Sequence, residues 1–345
     1  MPTLSIYIGE SQISALLYKS PSDFEFSHFS YVYPQSLIVD GSNKDKFNKQ
    51  VLALFAKRFG VKISDITVIT GDLMGESGVY TSLSSIQDYD WLYADNFTIA
   101  TPEEFISFFP YGKDSKFSLA ELKNYFSNRS LYPQYISSSP KFLNAADMLL
   151  REMMQTSKHN YYGEKPVILT GGRFAQLDVN PVMTYVLGLS LLKDPGLYDL
   201  RLDSECILPV LSLLNNQAIN KEEGSEKESV SALSADMVGV FDKTLFEEKL
   251  TTLGTVLKVP GGVECLFEKD VGEPQLISLK ENEIFVFPLD KLDLARISVT
   301  GKSINKLETS VRGGTLGFVI DSRQSDYNEV KREWLKVIQE RISAF

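Results

Sequence analysis

The order of secondary-structure signals in the first 72 residues constrains the fold of this chain more than any other feature. Apolar residues recur with a period of two in the first segments, as in half-buried strands. They recur with helical spacing in a later segment, which has a Ser42–Asp45 capping box at its start and Gly60 at its end. The signals run strand (4–8), strand (13–17), aromatic strand (24–33), helix (42–60) and buried strand (66–72). We therefore predict three consecutive antiparallel strands that lead into a helix and a parallel strand.

A second set of signals lies between residues 101 and 214. Residues 166–172 have the pattern of a buried strand that runs into the double glycine Gly171-Gly172, and a strand at 198–202 and a helix at 210–214 follow. Capping residues and prolines predict helix starts at 101–104, 118–121, 139–140 and 180–181. This alternation implies parallel strands that are covered by helices.

The sequence changes character after residue 219. Residues 220–229 are charged and small, which is typical of an exposed linker or loop. From 251 to 321 short β-branched runs are separated by glycine pairs, which predicts a small β-barrel or sandwich. The predicted units are an N-terminal lobe (1–77), a second α/β lobe (78–219), the linker (220–229), a β-rich module (230–324) and a C-terminal helix (325–345).

Charge and composition argue against several classes of protein. The formal net charge of −10 disfavours nucleic acid and anionic membranes as extended partners, although it leaves room for a local basic patch. The two cysteines, Cys206 and Cys265, cannot build a disulfide framework or a zinc site and are predicted to be core residues. The chain has neither a stretch of ~20 apolar residues nor a signal-peptide pattern. We expect a cytoplasmic protein without nucleic-acid partners or direct membrane insertion.

Three turns at predicted strand ends are candidate ligand sites. The glycines of Gly171-Gly172 would let a ligand approach the backbone closely, and the alternative is a tight turn between strand and helix. The hairpin tip Gly9-Glu10-Ser11 could wrap a phosphate with its amides, and the alternative is an ordinary hairpin turn. Asp72 follows a strand and could serve as a base or hold a metal-bound water, and the alternative is a solvated turn residue.

Several of these segments carry a resemblance to a known superfamily. The strand end Leu169-Thr170-Gly171-Gly172 resembles the adenosine-contacting glycine pair of the actin, Hsp70 and sugar-kinase superfamily. Within it, residues from about 140 to 345 resemble the glutamate-mutase-associated MutL family, and the segment GGTLGFVIDSR at 313–323 is the most specific match. The other matching segments are 158–159, 198–203, 207–209, 251–256 and 287–289.

The resemblance has implications for fold and ligand. It implies a ribonuclease-H-like, actin/Hsp70-type α/β nucleotide-binding fold with a C-terminal β-rich module. It also implies ATP or ADP with Mg²⁺ as the cofactor. The residues that it assigns to nucleotide binding are Gly9, Ser11, Thr170, Gly171 and Gly172.

The first phosphate loop departs from the superfamily pattern D-x-G-[ST]-T. Residues 7–11 align with it, and Tyr7 stands where the pattern has the aspartate that holds a metal-bound water. Tyrosine is neutral at pH 7 and a weak metal ligand, whereas phosphoryl transfer depends on Mg²⁺ and a positioned carboxylate. The second phosphate loop, D-x-G-G-x-T-T-D, has no clear counterpart. Nucleotide binding without efficient hydrolysis is the expectation.

These observations together predict a non-catalytic or weakly nucleotide-binding accessory protein that acts on a protein partner. The resemblance links it to adenosylcobalamin-dependent mutase systems. Two alternatives stay open at this point. One is an active ATPase that uses Glu10 or Asp72 in non-standard positions, and the other is an actin-like assembly or scaffold protein.

Overall fold

The computed structural model describes two halves of the chain that are rich in strands, together with short pieces between them. The described residues are 3–8, 12–18, 26–32, 44–65, 67–72, 90–93, 118, 120–121, 123–124, 127–128, 155–156, 166–171, 174, 192, 194–213, 247–269 and 272–324. The fold that they form is mixed α/β. No helix among them is long and apolar enough to span a membrane.

The N-terminal sheet has the strand order and directions that the sequence predicts. Its strands are β1 (Thr3–Ile8), β2 (Gln12–Tyr18), β3 (Phe26–Val32) and β4 (Thr67–Asp72), with helix α1 (Lys44–Phe59) between the last two. The spatial order is β3-β2-β1-β4. The pairs β1–β2 and β2–β3 are antiparallel, and β1–β4 is parallel. The prediction of three antiparallel strands, a helix and a parallel strand is confirmed.

Helix α1 lies on one face of this sheet because its apolar side chains match the alternating residues of β1 and β2. The buried side chains that form this core are Leu4, Ile6, Ile13, Ala15, Leu17, Val51 and Phe55. Gly60 ends the helix in a left-handed conformation (φ +68°), and its N–H donates to the Lys57 carbonyl at 3.2 Å. This is the closing role that the sequence predicts for Gly60.

A seven-stranded sheet forms the second layer of the structure. Its seven strands are β5 (Asp90–Tyr93), β6 (Gln155–Thr156), β7 (Val167–Thr170), β8 (Gly196–Leu202), β9 (Thr251–Lys258), β12 (Ile284–Phe287) and β15 (Gly317–Asp321). The order is β12-β15-β9-β8-β7-β5-β6, and β5, β7 and β8 are parallel as expected. Strand β9 pairs antiparallel with β8, so strands from both sides of the predicted 220–229 linker are neighbours in one sheet.

The remaining strands form a four-stranded antiparallel sheet that packs on the seven-stranded one. They are β10 (Val263–Lys269), β11 (Gln275–Leu279), β13 (Leu294–Gly301) and β14 (Ile304–Arg312), in the order β11-β10-β13-β14. One core joins the two sheets, with Phe267 of β10 against Phe287 and Phe318. Of the two predicted forms, the described strands make packed sheets, and no pairing among them closes a barrel.

The predicted capping box at Ser118 and the two cysteines lie among the described residues. The capping box at 118–121 is confirmed, because the Ser118 N–H donates to Glu121 Oε2 at 2.7 Å and the Glu121 N–H donates to Ser118 Oγ at 3.2 Å. Both cysteines are buried, and burial raises the pKa of Cys265 to about 12. The predicted helices starting at 101, 139 and 180, the linker 220–229 and the C-terminal helix 325–345 lie outside the described residues.

Candidate functional site

Thr170 and Gly171 lie at the carboxyl end of β7, where the sequence predicts a ligand site. All four residues of β7 are buried, and the Thr170 hydroxyl donates to Asp203 Oδ2 at 2.9 Å. Gly171 follows with a φ of +101°, a conformation that side chains rarely adopt. The Thr170 side chain therefore holds the strand end in place, and what Gly171 offers a ligand is its backbone. Gly172 lies outside the described residues.

Asp203 fastens the turn that follows β8. Its backbone N–H donates to the Leu169 carbonyl at 2.9 Å, and its carboxylate accepts the N–H groups of Ile207 at 2.9 Å and Leu208 at 2.8 Å. These two N–H groups begin the helical segment 207–213, here called α2. An aspartate in this position satisfies helix donors that have no partner inside the helix. The carboxylate thus joins β7, the 203–206 turn and α2.

Two serines of the N-terminal sheet contact this turn and the helix α2 that follows it. Ser14 Oγ donates to the Glu205 carbonyl at 3.0 Å, and Ser5 Oγ donates to the Val210 carbonyl at 3.0 Å. Both serines are fully buried. Because side chains alternate along a strand, they lie on the face of the sheet opposite to α1. The two hydroxyls thus fasten this face of the sheet to the backbone of the 205–210 region.

The carboxyl ends of β1 and β7 therefore meet at one turn. Ser14 is the register partner of Tyr7 near the end of β1, and it contacts Glu205, whereas Thr170 contacts Asp203. Two residues of chain separate these contact points by at most about 7 Å. In α/β proteins, ligands bind where the carboxyl ends of strands meet. The hairpin tip Gly9-Glu10-Ser11 follows β1 directly and lies outside the described residues.

Three residues bear on catalysis at this site: Tyr7 at the aspartate position and the candidate acids Asp72 and Glu10. Tyr7 is fully buried, with no exposed surface. Asp72 is the last residue of β4 and pairs in parallel register with Ile8, which places its backbone beside the end of β1. Glu10 lies outside the described residues. The structure thus brings the backbone of Asp72 to the strand ends that carry the candidate site.

A second charged cluster was not predicted as a site from the sequence. Lys258 Nζ lies 3.1 Å from Asp321 Oδ2, and Arg323 donates to the same carboxylate through Nε at 2.8 Å and Nη2 at 2.7 Å. All three side chains are buried. Burial alone would raise the pKa of Asp321, but the charges of Arg323 and Lys258 and the hydrogen bonds from Arg323 outweigh it and hold that pKa below its ordinary value.

This cluster lies at the other end of the seven-stranded sheet. Strands β9 and β15 are parallel to each other, and β9 is antiparallel to β8. The carboxyl ends of β9 and β15 therefore point away from the 203–206 turn. A lysine at the end of an apolar strand and an Asp-Ser-Arg sequence at the end of another were the signals that could have identified the cluster.

The glycine-rich part of the 313–323 signature has a structural role. The N–H groups of residues 313–317 all donate to backbone carbonyls, those of Asp293, Leu289, Thr252, Leu253 and Gly314. A phosphate-binding loop needs N–H groups that point at the ligand. The amides of this segment instead join β14 and β15 to β9 and to the residues that follow β12.

Among the described residues, no group of three or more His, Cys, Asp or Glu side chains could hold a metal ion.

Comparisons with known proteins show little similarity. No family model and no curated protein matches the sequence. A solved structure, the activator of the 2-hydroxyisocaproyl-CoA dehydratase from Clostridium difficile with bound ADPNP, is similar over 66% of this chain and 100% of its own. The TM-score is 0.36 and the sequence identity is 10%. Values this low do not show that the two chains share a fold.

Replacing Asp203 with alanine tests the role of this residue in the candidate site. The change removes the cap of α2 and the acceptor of the Thr170 hydroxyl, and we expect the free energy of unfolding to fall by about 2–3 kcal/mol. Urea unfolding followed by circular dichroism measures it. The matched control is Asp65→Ala, since Asp65 is exposed and contacts Ser64. Equal unfolding midpoints for the two variants would contradict the structural role of Asp203.

Proposed function

We propose that this protein binds ATP or ADP at the 203–206 turn, between the end of β1 and the end of β7, and does not hydrolyse it efficiently. The observation that carries the proposal is that Ser14 and Thr170, which are remote in sequence, contact Glu205 and Asp203 in the same turn. The strand order of the N-terminal sheet supports a ribonuclease-H-like lobe of the actin/Hsp70 type. In this proposal the chain is a relative of the MutL-like proteins of that superfamily.

The described residues fit a nucleotide mainly through backbone groups. Gly171 is buried, has a positive φ and has no side chain to obstruct a ligand. Gly9 and Ser11 would offer amides and a hydroxyl to the phosphates, with Gly172 beside the adenosine. Mg²⁺, when bound, would neutralise phosphate charge. The Thr170 side chain would contribute indirectly, because it is hydrogen-bonded to Asp203.

Weak hydrolysis follows from the residue at the aspartate position. Tyr7 is fully buried, and its phenol is neutral at pH 7 and cannot replace a carboxylate that positions a metal-bound water. A second candidate function rests on Asp72, whose backbone lies beside Ile8 at the same strand ends. If the Asp72 carboxylate positions water, the protein is a slow ATPase. Phosphate release by Asp72→Asn and Glu10→Gln variants separates the two candidates, because only an ATPase loses activity in them.

Nucleotide binding is tested by calorimetry with ADP and ATP and by photolabelling with 8-azido-ATP. We expect saturable binding and labelled peptides that contain residues 171–172, because the adenine that carries the azide would lie beside them. Gly172→Asp adds a charged side chain where the adenosine would approach the backbone closely, and it should weaken binding by about tenfold or more. Gly262→Asp is the matched control, since Gly262 does not have a positive φ and a Cβ placed there makes only an ordinary contact, 3.5 Å from the Leu279 carbonyl oxygen. Absence of saturable binding to the wild-type chain would refute the proposal.

The proposed role of the nucleotide is to control binding to a protein partner. Without an efficient catalytic base, occupancy of the site would depend on nucleotide concentration and not on turnover. The family resemblance suggests an adenosylcobalamin-dependent mutase system as that partner. Affinity of the chain for a candidate mutase, measured with and without ADP, tests this link. Equal affinities for the mutase with and without ADP would mean that the nucleotide does not control partner binding.

A further inference from the structure

The outward side of α1 concentrates positive charge in an acidic protein. Six basic residues and one acidic residue give the segment 44–62 a net charge of +5, whereas the whole chain has −10, which leaves −15 for the remainder. Lys49, Lys57 and Lys62 are exposed. Lys62 lies just beyond the end of α1 at Phe59. We call the exposed side of α1 together with Lys62 the basic face.

Two apolar side chains accompany the charges. Leu54 on α1 is 47% exposed, and Ile63, just beyond Lys62, is 46% exposed. Neither is needed for the core beneath the helix, because Val51 and Phe55 fill that role on the buried side. Leu54 lies three residues before Lys57, so the two side chains are neighbours on the surface of α1. The basic face thus combines positive charge with an apolar side chain beside Lys57.

We propose that the basic face is the docking surface for an acidic, amphipathic segment of a partner protein. Lys49 and Lys57 are separated by about 12 Å along α1, which matches about two turns of a partner helix, and Lys62 follows the end of α1 at Phe59. Glutamates or aspartates of the segment would pair with the lysines, and an apolar side chain would cover Leu54. Pairing of this kind sets partner choice and speed of association more than raw affinity.

Charge complementarity favours a local acidic segment over an extended polyanion. A membrane surface or a nucleic acid reaches beyond the basic face and would also meet the rest of the molecule, which carries −15. An interfacial membrane helix also places several large apolar residues on its exposed side, whereas among the described side chains of α1 the exposed large apolar one is Leu54. A segment of two or three turns fits within the basic face and avoids this repulsion.

This surface is separate from the proposed nucleotide site. Helix α1 packs on the sheet face that contains Leu4 and Ile6, whereas the opposite face contacts the 205–210 region through Ser5 and Ser14. The inference relies on the proposed accessory role for its biological setting, but not on nucleotide binding. Changes on the basic face should leave ADP affinity unaltered, so failure of one proposal is distinguishable from failure of the other.

The test uses the full chain and a fluorescein-labelled 14-residue helical peptide that carries glutamates around a central leucine. We expect the triple variant Lys49→Glu, Lys57→Glu, Lys62→Glu to bind this peptide about tenfold more weakly. The matched control is Lys280→Glu, Lys291→Glu, Lys302→Glu, since these lysines are also exposed. Leu54→Asp should weaken binding, and Leu292→Asp, at a residue that is 94% exposed, should not.

Three results would overturn the proposal. The first is equal weakening by the two lysine triples, which would mean that overall charge governs binding. The second is no binding of the peptide to the wild-type chain. The third is lysine-dependent binding of phosphatidylserine vesicles or single-stranded RNA in place of the peptide. Circular dichroism and ADP calorimetry on each variant verify the fold, and unchanged ADP affinity is expected throughout.

Discussion

Replacing Asp321 with alanine is expected to lower the free energy of unfolding by about 3–5 kcal/mol, because removal of one partner leaves buried charge uncompensated. Lys258 and Arg323 have no exposed surface, and both contact this carboxylate. Denaturant unfolding of the purified variant measures the loss. Glu308→Ala is the matched control, because its ion pair with Lys306 is exposed, and we expect its unfolding midpoint to equal that of the wild type. Equal midpoints for Asp321→Ala and the wild type would contradict this account.

The same cluster makes stability depend on acid pH. The pKa of Asp321 in the folded protein lies below its ordinary value, so its contribution is present above about pH 4 and is lost as the pH falls through the folded pKa. Asp321→Asn should therefore show a smaller loss of stability than the wild type between about pH 4 and pH 2. Unfolding midpoints across this range provide the comparison, and parallel curves would count against a charged Asp321.

Gly254→Ala is expected to cost at least about 3 kcal/mol, because it combines backbone strain with a steric collision. Gly254 has a φ of +127°, and a Cβ there would run into the carbonyl oxygen of Gly317. Gly317 in turn lies against the Phe287 carbonyl, so the backbones of β9, β15 and β12 approach too closely for side chains. Thermal unfolding, or recovery of folded protein, measures the effect.

Gly272 supplies the control for this prediction. It has a φ of +134°, close to that of Gly254, but nothing lies within 4 Å of a Cβ placed on it. Gly272→Ala therefore keeps the conformational strain and removes the collision, at a cost of about 1–3 kcal/mol. A Gly254→Ala variant as stable as Gly272→Ala would contradict the close approach of the β9 and β15 backbones at Gly254 and Gly317.

The elements of this fold that sequence reasoning predicts best are those with short-range signals. The alternating residues of β1 and β2 and the cap at Gly60 identify their elements, because period and capping act within a few residues. Antiparallel pairing of β8 with β9 is different, since it joins segments that are 49 or more residues apart in sequence, between Leu202 and Thr251. No local pattern specifies which strand lies next to a given one.

In the candidate site too, features with short-range signals are predictable and contacts between remote residues are not. Thr170 and Gly171 are identifiable because a buried strand runs into a double glycine. The role of Asp203 as the acceptor of the Thr170 hydroxyl is not, because that contact spans 33 residues. The buried ion cluster was missed because charged residues at strand ends usually face solvent, and only packing reveals that Lys258 and Arg323 do not.

The pairing of β8 with β9 has a consequence for how this chain can be divided. A cut at 220–229, where composition suggests a boundary, would separate two strands that share seven register pairs. Each fragment would expose an unpaired strand edge, and such edges recruit other strands. Complementary fragments, expressed together so that β8 and β9 can reassociate, are therefore the appropriate pieces in which to study the two halves.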